Sequence, residues 1–487
     1  MHSFLSVARS PKLLPLLLFL LLAGPAGAQS TAYRFDLSAE KLDVPTGPWR
    51  VARVLDLRPD RSQLGSVHRG LENQLAPANF TQPLAAEVQQ FLSAKLPAAP
   101  GARPVVLRVF ALSVAEDLRA TSEHGEAELV ADFLEPLPDS TFRVLLPVGE
   151  LVRRGGLDVT KFHPANIAQA LQQALRQLAA LPAAPAQAEI LSRADALAGR
   201  GGAGSQRFAV QAANPPRRGF YRSFQEFRDN APTEPNQPFL VKHIAHTGKR
   251  WAGTDEIQID YLFLDAAHPA RAVPTGDLWG LSDGKELFIA YRNRFYQLQA
   301  SADGRTYTFM GPPVFNPQVA NARAAAAVAG GLIGAAIAGA ALGPDVMALH
   351  ELHLASGRVV PAEQTGQTDA DGFTRAPDTA RVYVYRRGTP GDGPAIRLRA
   401  GSQNPEELAA RQWQLVKWTD RRHDLHLCAE ADRQPPACQE FVPDFSQPSY
   451  YECVVPADGG APKLLPVPAK EGAFELKRLR LLNKNRK

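Results

Sequence analysis

Cysteine is scarce, and its position carries information. Among the 487 residues there are three, Cys428, Cys438 and Cys453, and none lies near the N-terminus. Long apolar runs are equally few: 13–22 and 324–343. Collagen-like, coiled-coil and polytopic membrane classes are thereby excluded. There is no Walker loop, no dinucleotide fingerprint and no pair of carboxylates at a catalytic spacing, so no cofactor is expected. Acidic residues are scattered singly and read as solvated faces. The formal charge of +5 and pI near 9.1 indicate a basic protein. That excess sits at the two ends, in Arg9 and Lys12 and in Lys477, Arg478, Arg480, Lys484, Arg486 and Lys487. Without them the body has more acids than bases. No face shows basic residues interleaved with aromatics, so nucleic acid is excluded as a partner.

The composition that remains is globular, with 45% hydrophobic and 21% charged residues. Gly (37) and Pro (41) are frequent enough to favour turns and linkers over a helical bundle. The length fits roughly three domains. Residues 1–28 join a basic start (Arg9, Lys12), an apolar stretch Leu13–Leu22 and the small-residue site Ala26-Gly27-Ala28. This is the pattern of a secretory signal peptide. The product is expected to be exported, to the periplasm or an outer-membrane-associated position, and no cysteine near the cleavage point can accept a lipid.

Residues 29–181 read as an α+β domain of order β-α-β-β-β-α. Trp49–Leu57 alternates as a strand. Pro83–Leu96 reads as a helix with Thr81 as candidate cap. Strands are predicted over Pro104–Val114, Glu126–Phe133 and Thr141–Val152. A second helix over His163–Leu181 places Ile167, Leu171, Leu175 and Leu178 on one face. With Asp56-Leu57-Arg58, Leu64-Gly65 and the helix after Pro83, this stretch resembles the envelope domain of transport-auxiliary and related outer-membrane lipoproteins. That resemblance implies an envelope location, although the lipid-acceptor cysteine of those proteins is missing here.

Residues 182–217 are rich in Ala, Gly and Pro and read as a flexible linker, with a short helix near Ile190–Leu197. A β-rich region, 218–377, follows and carries the apolar insertion 324–343. Its opening Gly219-Phe220-Tyr221 and later Trp279-Gly280-Leu281-Ser282-Asp283-Gly284 resemble uncharacterised exported bacterial proteins, and no activity comes with that likeness. Residues 378–487 read as a β-sandwich with strands including Arg381–Arg386, Leu425–Ala429, Ser449–Val455 and Phe474–Leu479, ending in the basic tail 477–487. Ala380–Arg386, Tyr450-Tyr451 and Gly472-Ala473-Phe474-Glu475-Leu476 make this part similar to a family of small exported β-sandwich domains of unknown function. The fold class expected is therefore a multidomain α+β chain with a C-terminal β-sandwich.

Four features bear on chemistry. Gly280-Leu281-Ser282-Asp283-Gly284 matches a nucleophile-elbow pattern, but that elbow needs a following helix. Lys285–Tyr291 alternates as a strand, and Asp283-Gly284 reads as a hairpin turn with Ser282 out of reach of any imidazole. The pairs His243/His246, His350/His353 and His423/His426 sit in strand-like runs, where i and i+3 face apart. His426 shares a face with Cys428, which makes a metal-binding module an alternative reading. An exported chain oxidises cysteines. Cys428 and Cys453, in two strand-like runs, are the candidate disulfide, with Cys428–Cys438 the competing closure.

The fourth feature is 324–343, which is wholly Ala, Gly, Leu, Ile and Val. As a helix it exposes Gly331, Ala335, Gly339 and Gly343 as a small-residue stripe along which backbones approach closely, allowing a homo-oligomer or membrane insertion. The function expected is non-enzymatic: an exported envelope protein that binds or scaffolds at the periplasm–membrane boundary. Its partners would be the membrane surface, through the basic tail, or envelope proteins. The alternative from another class is an exported serine hydrolase using Ser282.

Overall fold

The computed structural model describes residues 32–69, 74–96, 100–118, 122–181, 188–262, 271–301, 306–313, 346–361, 378–388, 394–445, 447–456 and 460–484. The expected leader, the insertion 324–343 with its Gly331/Ala335/Gly339/Gly343 stripe, and Arg486 and Lys487 lie outside the described residues.

Long alternating strands build the first sheet. Its members are β1 (Tyr33–Phe35), β2 (Trp49–Asp56), β3 (Gly65–Arg69), β4 (Gln74–Phe80), β5 (Arg103–Leu118), β6 (Glu123–Pro136), β7 (Phe142–Gly156) and β8 (Ile190–Leu191). The order is β1-β4-β3-β5-β6-β7-β8, and β2 runs parallel to β5. Helices α1 (Leu84–Lys95) and α2 (His163–Ala179) cover one face. Every second residue of β5 and β6, such as Leu107, Val109, Leu129, Ala131 and Phe133, shares a core with Val88, Phe91, Ile167, Leu171 and Leu175. Truncating one such leucine to alanine typically costs about 2–5 kcal/mol. The expected helices and long strands are present within a few residues of their predicted limits. The short strands β1, β3 and β4 are additional. Pro83 occupies the cap position of α1 and no side chain caps it, so Thr81 does not.

The expected linker is, from residue 188 onward, part of this structure. It forms β8, α3 (Arg193–Leu197) and α4 (Ala209–Ala212), with β8 antiparallel to β7. Leu191, Ala196 and Val210 of this segment join the apolar core. The segment's backbone carbonyls also serve as acceptors for a buried guanidinium, described below.

The next sheet comprises β9 (Gly219–Tyr221), β10 (Phe239–Ile244), β11 (Glu256–Tyr261), β12 (Arg271–Ala272), β13 (Gly280–Ser282), β14 (Leu287–Tyr291), β15 (Arg294–Ala300), β16 (Thr306–Gly311), β17 (Ala348–His353) and β18 (Val359–Pro361). They run in the order β18-β17-β16-β15-β14-β13-β9, with β11 bonded to β10, β12 and β15. The two sequence words noted above meet here: Gly219, Phe220 and Tyr221 pair with Ser282, Leu281 and Gly280. Helix α5 (Phe224–Arg228) then brings Phe227 onto Trp279, with ring centroids 4.4 Å apart.

The last region has two four-stranded sheets. One is β22 (Trp413–Trp418), β19 (Ala380–Tyr385), β25 (Ser449–Val454) and β26 (Lys463–Val467); the other is β21 (Glu406–Glu407), β20 (Ile396–Ala400), β23 (Leu425–Ala431) and β24 (Ala437–Phe441). Val382 and Val384 from the first share a core with Leu398, Leu427 and Ala429 from the second. The expected strand Phe474–Leu479 is instead part of α6, a 16-residue helix over Ala469–Lys484. Its buried residues recur at helical spacing: Gly472, Glu475, Leu476 and Leu479. Leu476 and Leu479 pack with Tyr385 and Tyr450. A Cβ on Gly472 would run into the Tyr450 ring, so glycine sets how closely the helix docks. Described residues from Ala32 onward form one compact unit. The chain is mixed α+β, strand-rich and built on several sheets.

Candidate functional site

The face of α6 turned away from the sandwich is the clearest surface feature. Phe474 and Leu481 are 64% and 56% exposed and stand seven residues apart, two helical turns, on the same face. Leu482 is also exposed beside them. Lys470 and Lys477 flank the apolar pair, and neither makes an ion pair among the described residues. Arg478 is bound to Glu475 at 2.9 Å, and the Arg480 guanidinium lies 4.9 Å from the Trp413 ring centre. Of the basic tail, then, part holds the helix in place and part faces outward. Acids cluster in the first turns and bases in the last, as the helix dipole favours. Glu471 and Glu475 are drawn to Arg387, at 3.3 Å and 3.7 Å, which fixes the helix to the sheet.

The cysteine pairing corrects the expectation. Cys428 is bonded to Cys438, and Cys453 is free and buried. The reason is strand register. Cys428 and Cys438 lie directly opposite across β23 and β24, with Cα atoms 4.1 Å apart. Leu425, Leu427, Ala429 and Ala431 take the core face of β23, so Cys428 points away from the core. Cys453 belongs to the facing sheet and lies in that core, where burial pushes its thiol up to about 11. The ligand atoms of His426, Cys428 and Cys438 are within 4.8 Å of one another. Both sulfurs are joined to each other, which leaves His426 as the cluster's one available donor.

Ser282 is fully buried at the end of β13. Its Oγ accepts the Gly284 amide at 3.0 Å, while Asp283 Oδ1 accepts the amides of Lys285 and Glu286. Strand β14 follows, not a helix, and no histidine among the described residues bonds to Ser282. The histidine pairs are separated too. His350 stacks on Phe309, gives its Nε2 to the Pro312 carbonyl at 2.8 Å, and is lowered by burial. His353 points instead to Glu128 at 3.0 Å. His246 stacks on Trp251, and His423 binds Asp420.

Three buried polar clusters escape sequence reading, because each is assembled from acids that look like solvated positions. On β6 the alternate face carries Glu126, Glu128 and Asp132, all buried. The Arg108 guanidinium forks onto Asp132 at 2.8 and 2.7 Å and donates to the carbonyls of Ala196 and Arg200 at 3.0 Å. Glu128 accepts from Ser356 at 2.5 Å, from His353 and from Arg358 at 3.2 Å. Burial alone would raise this carboxyl, and those three partners hold it well below the usual range. Burial disfavours charge on His353, but Glu128 outweighs it and raises that group. Between β7 and the β17–β18 turn there is no room for a side chain, since a Cβ on Gly149 would collide with the Ala355 carbonyl. The third cluster lies between the first sheet and the start of α2. Glu116 bridges His68 (3.2 Å), His163 (3.1 Å) and Thr160 (2.7 Å). Burial pushes its carboxyl up, and these hydrogen bonds together overcome that and hold it at about 2.

The class these observations define is a strand-rich α+β chain with buried charge clusters and, among the described residues, a surface helix with an exposed apolar pair. Compared with models of protein families, with curated proteins and with solved structures, the chain matches none. No helix among the described residues is long and apolar enough to cross a membrane.

Proposed function

We propose that this is a non-enzymatic, exported cell-envelope protein that binds or scaffolds at the periplasm–membrane boundary. It would comprise an N-terminal α+β domain, a β-rich middle domain carrying the Ala/Gly insertion, and a C-terminal β-sandwich. The observation that carries the reading is the outward face of α6: Phe474 and Leu481 exposed between Lys470 and Lys477. An amphipathic helix with aromatic and aliphatic residues beside lysines suits the interface of an anionic bilayer. Each lysine near such a surface contributes about 1 kcal/mol. Each large apolar side chain adds about 2 kcal/mol when fully withdrawn from water. The sum gives a reversible, peripheral contact. A homo-oligomer through 324–343 would add avidity to it. The hydrolase alternative is disfavoured by the hydrogen bonding of Ser282 within its own turn.

The test is co-sedimentation of the full mature chain with vesicles of phosphatidylcholine alone or mixed with phosphatidylglycerol. Binding is expected only to the mixed vesicles, and Phe474→Ser with Lys477→Glu should weaken it by about tenfold or more. Equal binding to both vesicles, or indifference to the double substitution, would overturn the reading.

A further inference from the structure

A second surface lies in the first sheet's helical layer, far along the sequence from α6. Between α1, α2 and β2 is a cleft of about 510 Å³. That lies within the roughly 300–1,000 Å³ of sites that enclose one small ligand. Leu42, Val44, Trp49, Leu92, Leu175 and Leu178 give it an apolar wall, and Thr46, Gln89 and Ser93 add polar groups. Its only charged lining residues are Arg50 and Lys95, and no acid lines it. Neither cation makes an ion pair among the described residues. The indole Nε1 of Trp49 is buried and has no hydrogen-bond partner, while the Arg103 guanidinium sits 4.0 Å from the indole ring centre. A buried donor without an acceptor is costly unless something supplies one.

The segment 42–47, which has no regular secondary structure, borders the opening. It is held by polar contacts at the surface: the Asp43 amide to Gln172 at 2.7 Å, and Arg176 Nε to the Asp43 carbonyl at 2.8 Å. Contacts of this exposed kind contribute little and can be exchanged for water.

We propose that this cleft binds a single-chain anionic amphiphile, with the hydrocarbon chain among the leucines and the acidic headgroup at the Arg50/Lys95 rim. The wall of Leu42, Val44, Leu92, Leu175 and Leu178 suits a hydrocarbon chain, which a polar metabolite would leave without partners. The two unpaired cations, with no acid among the lining residues, select a negative headgroup over a neutral or positive one. A carboxylate or a phosphate headgroup would satisfy the same rim. The proposal is independent of the α6 reading, since none of its residues lies on that helix.

The probe is dansyl-undecanoic acid, titrated into the full mature protein and read by its fluorescence. Saturable one-to-one binding is expected. Displacement by palmitate would mark a free fatty acid as the better fit, and displacement by a lysophosphatidylglycerol a lysolipid; either supports the proposal. Arg50→Glu with Lys95→Glu should weaken the acid probe by about tenfold while leaving the uncharged amide of the same probe unchanged. Ser93→Trp, which places an indole in the cleft, should abolish both. Phe474→Ser on α6 should change neither, so this site and the membrane contact fail separately. Absence of saturable binding, indifference to the charge reversal, or binding that survives Ser93→Trp would overturn the proposal. Circular dichroism of each variant shows that the fold is kept.

Discussion

The first sheet meets its two neighbours in opposite ways. Toward the second sheet and the 188–205 segment it uses chiefly buried charge: Arg108–Asp132, wholly enclosed, and Glu128 among His353, Ser356 and Arg358, beside one partly exposed pair, Arg292–Asp117. Toward the C-terminal sheets it uses pairs open to water. Arg34 reaches Asp444 at 3.0 Å, Arg61 reaches Asp424 and Arg421 reaches Asp60, both at 3.2 Å, with at least one partner in each pair partly exposed. A buried pair is weak evidence of net stability, but breaking it strands a charge. An exposed pair gains little and loses little. The first junction is therefore intolerant of substitution, and the second is tolerant and sensitive to salt.

Arg108 offers the severest way to break that contrast. Arg108→Met removes the guanidinium and leaves Asp132 buried without its partner. It also releases the carbonyls of Ala196, Arg200 and Gly201. A cost of about 3–5 kcal/mol is expected in urea unfolding. Cleavage by protease within 188–217 should appear at the same time. A cost below about 1 kcal/mol would show that the buried pair is not what holds this segment.

Next in size is a pH effect where the first sheet meets α2. Glu116 sits at about 2 in the folded chain, below the ordinary value of 4.5. A depressed carboxyl contributes stability that is present above the unfolded value and lost as pH falls through the folded one. The window is thus roughly pH 4.5 down to 2, and the contribution is on the order of 3 kcal/mol at neutral pH. Glu116→Gln should lower stability at pH 7 by a large part of that amount and converge with the parent near pH 2. Parallel stability curves for the two proteins across pH 2–6 would remove Glu116 from the account.

These clusters also mark the limit of what the sequence discloses. Periodicity was sufficient for α2, where Ile167, Leu171, Leu175 and Leu178 are all buried as their spacing requires. It was sufficient for the turn after Ser282, because Asp283-Gly284 has a local chemistry. It placed the strand β6, where Leu129, Ala131 and Phe133 alternate with Glu128, Val130 and Asp132, but not the burial of its acids. That pattern belongs equally to a strand with one wet face and to a strand whose second face is covered by charge-paired neighbours, and only the distant partners Arg108, His353 and Arg358 distinguish them. It failed on α6. Phe474–Leu479 is too short a window to separate period 2 from period 3.6, and the docked face is defined by Gly472, Leu476 and Leu479 together. The cysteines depended on register between strands, which no spacing encodes.

The gentlest substitution sharpens the comparison from its other side. Arg34 lies 40% exposed and Asp444 14% exposed, and Arg34 also donates to the Phe80 carbonyl at 3.0 Å. Arg34→Ala removes both contacts but leaves Asp444 in reach of water and of Gln447, at 3.1 Å. No charge is stranded, so the expected cost in urea unfolding is below about 1 kcal/mol. The remaining electrostatic part should fade at about 1 M salt, where the screening length falls to roughly 3 Å. Arg108→Met should keep its full penalty under the same conditions, because an enclosed pair is little screened. If Arg34→Ala instead costs as much as Arg108→Met, or if both respond alike to salt, then the two junctions do not differ in kind. The C-terminal sheets would then be joined to the first as firmly as the second sheet is.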